Sequence, residues 1–217
     1  MSMFCFQCQE AAKNKGCTSR GVCGKSPEVA GLQDVLLSAL KGLSALAEKA
    51  TSLGIDHGET GPFVAEALFS TVTNVNFDTD SISRRIKQSF KLAEKIETSV
   101  VAKAGKSALG DLPEESTWRG EADSFAVRAN QVGVMSQVNE DVRSLRELLI
   151  YGIKGIAAYA HHAAVLGKED SSIYNFLVEA LASTTKDLSQ DQMVGLVLRA
   201  GEVAVTTLAA LDAANTG

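Results

Sequence analysis

Residues 34–71 read DVLLSALKGLSALAEKATSLGIDHGETGPFVAEALFST, and residues 147–184 read ELLIYGIKGIAAYAHHAAVLGKEDSSIYNFLVEALAST. The two stretches align without a gap at an offset of 113 residues, and 14 of their 38 pairs are identical. The shared patterns include Lys-Gly, Leu-Gly and Phe-x-x-Glu-Ala-Leu-x-Ser-Thr, which a common bias toward Ala and Leu does not easily produce. The chain therefore contains an internal repeat.

Each copy of the repeat carries the signals of long helices. Ser26-Pro27 is typical of an N-cap followed by proline at the first helical position, and apolar residues then recur at helical spacing. Gly54 suits the left-handed position that follows the end of a helix. In the first copy we predict helices over 26–53, over 62–75 and from the cap cluster at 78–80 to 104. In the second copy we predict helices over 140–166, 172–183 and 189–214.

These helices predict an all-α fold: two tandem three-helix bundles with an N-terminal cysteine-rich cluster-binding loop. The predicted units are a loop over 1–25, a first bundle over 26–104, a connector over 105–138 and a second bundle over 139–217. The connector is rich in glycine, and one short helix is predicted in it near 123–131. Gly42 and Gly155 each cost about 1 kcal/mol inside a helix, so we expect another helix to approach closely at both.

Composition and charge limit the classes of function. The chain has 217 residues and a net charge of −5, which does not suggest a nucleic-acid-binding surface. No uninterrupted apolar run approaches the roughly 18–20 residues needed to cross a bilayer, and residues 1–5 do not resemble a secretory signal. We therefore expect no membrane partner and a cytoplasmic location, where thiols stay reduced.

The four cysteines of the chain, Cys5, Cys8, Cys17 and Cys23, lie close together at the spacing C-x2-C-x8-C-x5-C. In a reducing compartment this grouping points to metal binding rather than to disulfides. A C-x2-C pair can hold one metal centre from a single turn, and nearby glycines allow the backbone to bring the other two cysteines round. Residues 5–25 carry four cations against one acid, which suits an anionic [4Fe–4S] cluster with four thiolate ligands.

The cysteine spacing alone leaves other chemistries open. Four thiolates also bind zinc, although structural zinc sites typically use two C-x2-C pairs and only one is present here. Two disulfides would require an oxidising compartment, and free thiols in an exposed basic loop would oxidise easily. From the residues alone we favour an iron–sulfur cluster over these three alternatives.

Two further sets of side chains are weaker candidates. His161 and His162 are adjacent on a helix, so they point about 100° apart and do not chelate one metal together. Glu66 and Glu179 occupy equivalent repeat positions, so we expect them to lie in separate bundles and to have structural roles.

Several motifs match those of a known family. They are MFCFQCQE at 3–10, GC at 16–17, GVCGK at 21–25, LQD at 32–34, NEDVRSLREL at 139–148 and ALASTTKDL at 180–188. Through them the chain resembles the hybrid cluster protein family, also called prismane proteins or hydroxylamine reductases. The resemblance covers essentially the whole chain and implies two three-helix bundles.

The resemblance also implies a cofactor and a role. It assigns Cys5, Cys8, Cys17 and Cys23 to the family's N-terminal cubane cluster, and the compact spacing is similar to that of the branch with a [4Fe–4S] centre. In full-length relatives this cluster passes electrons to a hybrid iron–sulfur–oxygen cluster, which reduces hydroxylamine and, in some members, nitric oxide. The implied role of this chain is an iron–sulfur electron-transfer domain served by an electron donor protein.

The chain departs from the family pattern in one large respect. The ligands of the hybrid cluster belong to two downstream α/β domains, whereas no cysteine follows Cys23 here and the sequence stops at Gly217. We therefore assign no catalytic residue, and we expect no hybrid cluster and no substrate reduction by this chain alone. Its expected partners are the missing domains. We also expect the apolar surface that those domains would cover to allow association with another copy of the chain. The alternative is a structural or interaction module with a four-cysteine metal site.

Overall fold

The computed structural model describes residues 3–217, so the first two positions of the loop predicted over 1–25 lie outside the described residues. Within residues 3–217 the α-helices are α1 (Pro27–Ser52), α2 (Thr60–Ser70), α3 (Thr79–Ala104), α4 (Phe125–Val132), α5 (Glu140–Val165), α6 (Ser171–Ser183) and α7 (Gln190–Thr216). Short 3-10 turns lie at Ala12–Asn14, Lys106–Leu109, Glu114–Ser116, Ala122–Ser124 and Val134–Ser136. These helices confirm the all-α prediction, because no strand forms in the described part of the chain.

Capping side chains fix the N-terminal ends of α1, α3, α5, α6 and α7. The Ser26 hydroxyl accepts a hydrogen bond from the Val29 amide at 3.1 Å, and the Asn139 side chain accepts one from Val142 at 3.1 Å. Helix α2 ends earlier than the predicted residue 75. The Thr71 hydroxyl donates to the Leu68 carbonyl, and Asn74 adopts a left-handed conformation with φ 65°, so the backbone leaves the helical path.

The two repeats are related by an approximate two-fold axis. The bounds of α5 are those of α1 plus 113 residues. Helix α1 packs mainly against α3 and α6, and α5 packs in the same way against α7 and α2. At the axis, Gly61 of α2 meets Tyr174 of α6, the residue at the equivalent position of the second repeat. A Cβ on Gly61 would lie 2.6 Å from the Cβ of Tyr174. Such contacts between equivalent positions are the mark of two-fold packing.

The middle helices of the two repeats are exchanged. Helix α2 contacts α5 more extensively than it contacts α1 or α3, and α6 contacts α1 more extensively than α5 or α7. A single hydrophobic core therefore runs through both repeats. The predicted units over 26–104 and 139–217 thus describe the two sequence repeats. In the structure the repeats share helices across one core, so they are packed together more closely than two bundles in tandem would be. Helix α1 is buried around most of its circumference, so it needs neighbours on several sides.

The connector breaks the two-fold symmetry. Its turn at Glu114–Ser116 lies so close to α1 that a Cβ on Gly42 would be 2.0 Å from the Glu115 carbonyl oxygen. The Ser116 hydroxyl donates to the Gly42 carbonyl at 3.1 Å. An added Cβ on the equivalent Gly155 meets nothing within 4 Å. The expectation of a close helix at both glycines is therefore wrong: a connector turn approaches Gly42, and Gly155 is open.

Helices α1 and α7 are long and apolar enough, by length and composition alone, to cross a membrane. The apolar stretch of α1 is mostly buried in the core, which accounts for its composition. Helix α7 covers α5 with one face and exposes several aliphatic side chains on another, including Leu198 at 67% exposure. Charged residues such as Lys41 and Arg199 interrupt both segments, so neither is an uninterrupted apolar run. These compositions do not show a membrane location.

Candidate metal centre

The backbone of the cysteine-rich loop folds back on itself and places Cys5 opposite Cys17. The two residues exchange both backbone hydrogen bonds, with N–O distances of 3.1 and 2.8 Å, and Met3 extends the pairing to Thr18. The chain turns between them through Lys13 and Asn14, which both have positive φ. Gly16 closes this turn against the Phe4 ring, where a Cβ would lie 2.7 Å from a ring carbon.

A second turn surrounds Cys23. The Gly21 amide donates to the Lys25 carbonyl at 2.9 Å, and the Gly24 amide donates to the Gly21 carbonyl at 2.9 Å. Gly24 has φ 93°, a conformation that favours glycine. A Cβ on Gly21 would lie 3.0 Å from Cys23 Sγ, so the glycine leaves room for the thiol.

The four predicted ligands share one loop but do not converge. Cys17 is buried, and Cys5, Cys8 and Cys23 are half-buried; all four are free thiols without a disulfide. Backbone pairing brings Cys5 and Cys17 together, whereas Cys8 and Cys23 lie in the flanking turns. Among residues 3–217, no three Cys, His, Asp or Glu side chains are grouped closely enough to hold a metal ion. The donor set fits an iron–sulfur cluster chemically, since four free thiols and flexible glycine turns are available.

A buried lysine at the end of the loop lies beside Cys5. Lys25 is only 2% exposed, and its ammonium lies 3.9 Å from Cys5 Sγ. The same ammonium donates to the Gln33 side-chain oxygen at 2.6 Å, and the Gln33 amide donates to the Asn76 carbonyl at 3.2 Å. This chain of hydrogen bonds holds a positive charge next to a candidate thiolate ligand.

Gln7, between the first two cysteines, joins the loop to both repeats. In the orientation that satisfies its amide, the nitrogen donates to the Thr71 carbonyl at 3.2 Å and the oxygen accepts from Lys154 Nζ at 3.1 Å. Thr71 follows α2 and Lys154 lies in the middle of α5. The loop is therefore anchored where the exchanged helix α2 meets α5.

Charged side chains surround a small cavity of about 40 Å³ beneath the loop, between α1 and α5. Burial raises the pKa of Asp34 to about 7, against the opposing effect of Lys154 and Lys25. Burial lowers the pKa of Lys154 to about 8 and raises the pKa of Glu147. The cavity is polar and large enough for ordered water. Asp34, Glu147 and Lys154 line this cavity together with Cys5.

This charged cluster is absent from the sequence predictions, although one signal for it was available. Lys41 and Lys154 recur at equivalent positions in helices whose neighbouring positions are apolar. A lysine that recurs on a buried helix face requires a polar partner, because burying an unpaired charge is costly. The partners come from other parts of the chain, and the helical pattern does not reveal them.

The weaker candidates have structural surroundings. Glu66 pairs with Arg85 at 2.9 Å and Glu179 pairs with Arg199 at 2.6 Å, one pair in each repeat. The rings of His161 and His162 both pack near Phe69, with centroids 5.2 and 5.3 Å away. Neither set belongs to a group of metal-ligating side chains within the described residues.

Comparisons of the sequence with a family model and with curated relatives point to the same family. A model of the Prismane/CO dehydrogenase family matches residues 3–217. The chain is 52% identical to a protein named hydroxylamine reductase from Halothermothrix orenii, over 100% of the chain and 40% of the relative. It is 51% identical to a hydroxylamine reductase from Nitratidesulfovibrio vulgaris, over 99% of the chain and 39% of the relative. The chain thus spans about 40% of the length of these curated relatives.

Proposed function

Since this chain belongs to the Prismane/CO dehydrogenase family, we propose that it is the iron–sulfur electron-transfer domain of a hydroxylamine reductase. The observation that carries the proposal is a single loop with four free cysteines, in which Cys5 and Cys17 face each other and a buried lysine lies beside Cys5. Family membership makes iron–sulfur chemistry the best use of this donor set.

Cys5, Cys8, Cys17 and Cys23 would hold a [4Fe–4S] cluster as thiolates. When bound, the cluster supplies reversible one-electron transfer. The chain's own residues shape the environment of that charge: Lys25 is held by Gln33 next to Cys5, and its positive charge stabilises added negative charge nearby. We propose no catalytic residue in this chain and no hybrid cluster, because no cysteine follows Cys23.

The electron donor would approach the outer side of the cysteine loop. Lys13, Lys15 and Arg20 are exposed there, and the aromatic Phe6 of the same loop is exposed as well. An exposed cationic surface beside a redox centre favours a donor protein with an acidic surface, since complementary charge speeds association. We expect the association to take place in the cytoplasm and to weaken as salt concentration rises.

The rest of the longer protein would cover the open face of α5 and α7. Tyr159 is 47% exposed, while the equivalent Leu46 is 1% exposed beneath the elements that cover α1. Leu198 on the adjacent α7 is also exposed. Because the relatives are much longer than this chain, we propose that their downstream domains occupy this face.

The isolated chain should self-associate through the same apolar face. Sedimentation velocity should detect concentration-dependent association that the double substitution Tyr159→Ser and Leu198→Ser reduces. A matched double substitution on polar surface, Thr98→Ser and Ser99→Ala on α3, should leave it unchanged. A strictly monomeric parent chain at high concentration would contradict this assignment.

Redox titration of anaerobically purified chain tests the relay proposal. We expect one reversible one-electron couple, visible in the absorption spectrum, in the parent chain. Cys17→Ala should remove the couple, and Ser19→Ala in the exposed part of the same loop should retain it. A parent chain without any couple would contradict the relay proposal, and a Cys17→Ala variant that keeps the couple unchanged would exclude Cys17 as a ligand of the redox centre.

A structural metal site is the second candidate, because the loop is anchored to both repeats through Gln7. On that account, losing the metal would destabilise the whole helical fold, since metal binding contributes directly to folding. The Cys17→Ala variant distinguishes the two. Retained thermal stability of the helices favours the relay, and a large drop in the unfolding temperature favours the structural role.

A further inference from the structure

The two-fold relation between the repeats creates two equivalent charged sites, and only one of them is filled. Lys154 and Asp34 belong to the site beneath the cysteine loop, where the Gln7 side chain lies between Lys154 and Thr71. Shifting by 113 residues converts these positions into Lys41 and Glu147. Glu147 also borders the cavity beneath the loop, and both residues line a second cavity. No segment of residues 3–217 inserts a side chain there as Gln7 does, and a cavity of about 200 Å³ is found in its place.

The cavity is lined by cations whose donors the protein satisfies only in part. Lys41 reaches it from α1, where its ammonium forms no direct hydrogen bond with the described residues and faces the carboxylates of Glu147 and Glu115. Arg146 reaches it from α5; one of its terminal nitrogens donates to the Lys186 carbonyl at 2.9 Å, while its Nε is buried without any partner. Leaving a buried cationic donor such as Arg146 Nε without an acceptor is costly, so the site favours an added acceptor group.

The filled site indicates what kind of group fits. There, the oxygen of the Gln7 amide accepts from Lys154. A ligand oxygen in the cavity would accept from Lys41 in the same way. Arg143 also lines the cavity, held by a 2.8 Å hydrogen bond to the Gln137 carbonyl, with its remaining donors available.

The charge of the open site favours an anion. The equivalents of Arg143 and Arg146 at the filled site are the neutral residues Ala30 and Gln33. The open cavity therefore carries Lys41, Arg143 and Arg146 against the two carboxylates Glu115 and Glu147. Among the residues that line the cavity, cations thus outnumber carboxylates by one.

We propose that the cavity between Lys41, Arg143 and Arg146 is a binding site for a small oxyanion, such as a phosphate, sulfate or carboxylate group. The ligand accepts from the Lys41 ammonium and from the two guanidinium groups, as the Gln7 oxygen accepts from Lys154 at the equivalent site. The guanidinium donors suit a planar or tetrahedral oxyanion, which can take two hydrogen bonds from one arginine. The site is independent of the proposed redox role of the cysteines.

Isothermal titration of the full chain with inorganic phosphate, sulfate and acetate, at constant ionic strength set with chloride, tests this site. We expect saturable binding of one oxyanion per chain for at least one of these probes. Lys41→Met should weaken that binding by about tenfold or more, because a charge-assisted hydrogen bond is lost. Lys91→Met, which removes an exposed lysine on α3, is the matched control and should bind as the parent chain does.

A second variant guards against misfolding of the first. Arg143→Gln lies at the partly exposed rim of the cavity, and it should also weaken binding while the circular dichroism spectrum stays unchanged. Absence of saturable binding up to tens of millimolar for all three probes would overturn the proposal and leave the cavity as a water site. Equal affinity of Lys41→Met, Arg143→Gln and Lys91→Met would overturn it as well, because binding would then reflect net charge alone.

Discussion

The first and second repeats have nearly the same helices but very different surroundings. On α1, the connector turn packs onto Gly42, and Leu46 is 1% exposed. On α5, the equivalent Gly155 is open and the equivalent Tyr159 is 47% exposed. The repeated helices form the core in both copies, and the segments that are not repeated decide which faces are covered. The uncovered face is therefore the place to look for another domain.

The two equivalent charged sites, around Lys154 and around Lys41, also differ in which segment of the chain covers them. The cysteine loop inserts Gln7 beside Lys154, whereas no group of the described residues takes that place beside Lys41. Each non-repeated segment thus completes one half of the molecule and leaves its equivalent open. A substitution in one repeat can therefore be compared directly with the same substitution at the equivalent position of the other repeat.

The largest effect is expected at the two helical glycines. Gly42→Ala forces a Cβ to within 2.0 Å of the Glu115 carbonyl oxygen, so it should lower the free energy of unfolding by about 3 kcal/mol. Gly155→Ala meets no neighbour and improves helix propensity, so it should be neutral or stabilising by up to about 1 kcal/mol. Urea unfolding of both variants measures the difference. Equal destabilisation would show that the connector does not distinguish the two repeats.

A medium effect is expected in the pH dependence of stability. Burial raises the pKa of Asp34 from 3.8 to about 7, so the folded chain binds this proton more tightly than the unfolded chain does. The stability contributed by the protonated carboxyl is complete below about pH 4 and is lost as the pH rises to about 7. Asp34→Asn should reduce that decline by about 2 kcal/mol in urea unfolding between pH 4 and 7.5.

Two controls make the pH comparison specific. Glu147→Gln removes the equivalent carboxyl of the second repeat, whose pKa is also raised by burial, and should flatten the profile in the same direction. Asp212→Asn removes an exposed carboxyl near the end of α7 and should leave the profile unchanged. If stability depended on pH in the same way in Asp34→Asn and in the parent chain, a raised pKa for a buried carboxyl at position 34 would be contradicted.

The smallest effect is expected when the filled site is made to resemble the open one. Gln7→Leu removes the acceptor for Lys154 and the donor to the Thr71 carbonyl, so it should destabilise the fold by about 1 kcal/mol. Gln9→Leu alters an exposed glutamine of the same loop and should change stability much less. Thermal unfolding of both variants checks the prediction, and equal unfolding temperatures would mean that the Gln7 bridge contributes nothing.

Much of the helical framework could be predicted from the repeat. The predicted helix over 140–166 is found at Glu140–Val165, and the short connector helix predicted near 123–131 is found at Phe125–Val132. Capping residues and glycine explain this success, because they act within one turn of the chain. The exchange of α2 and α6 could not be predicted, since periodicity identifies the apolar face of a helix but not the helix that covers it.

The candidate site was predictable only in part. The cysteine spacing and the family motifs name the four thiols, and these thiols lie in one loop with Cys5 opposite Cys17. The lysine beside Cys5 and the Gln7 bridge to Lys154 depend on contacts between distant segments. No local pattern encodes such contacts, so they follow only from the packing of the loop onto α1 and α5.

Iron, zinc and acid-labile sulfide per chain, measured on anaerobically purified protein, test the central claim most directly. Four cysteines that hold a [4Fe–4S] cluster predict about four irons and about four sulfides per chain, with little zinc. Stoichiometric zinc without sulfide would contradict the electron-transfer role and would make the cysteine loop a structural metal site.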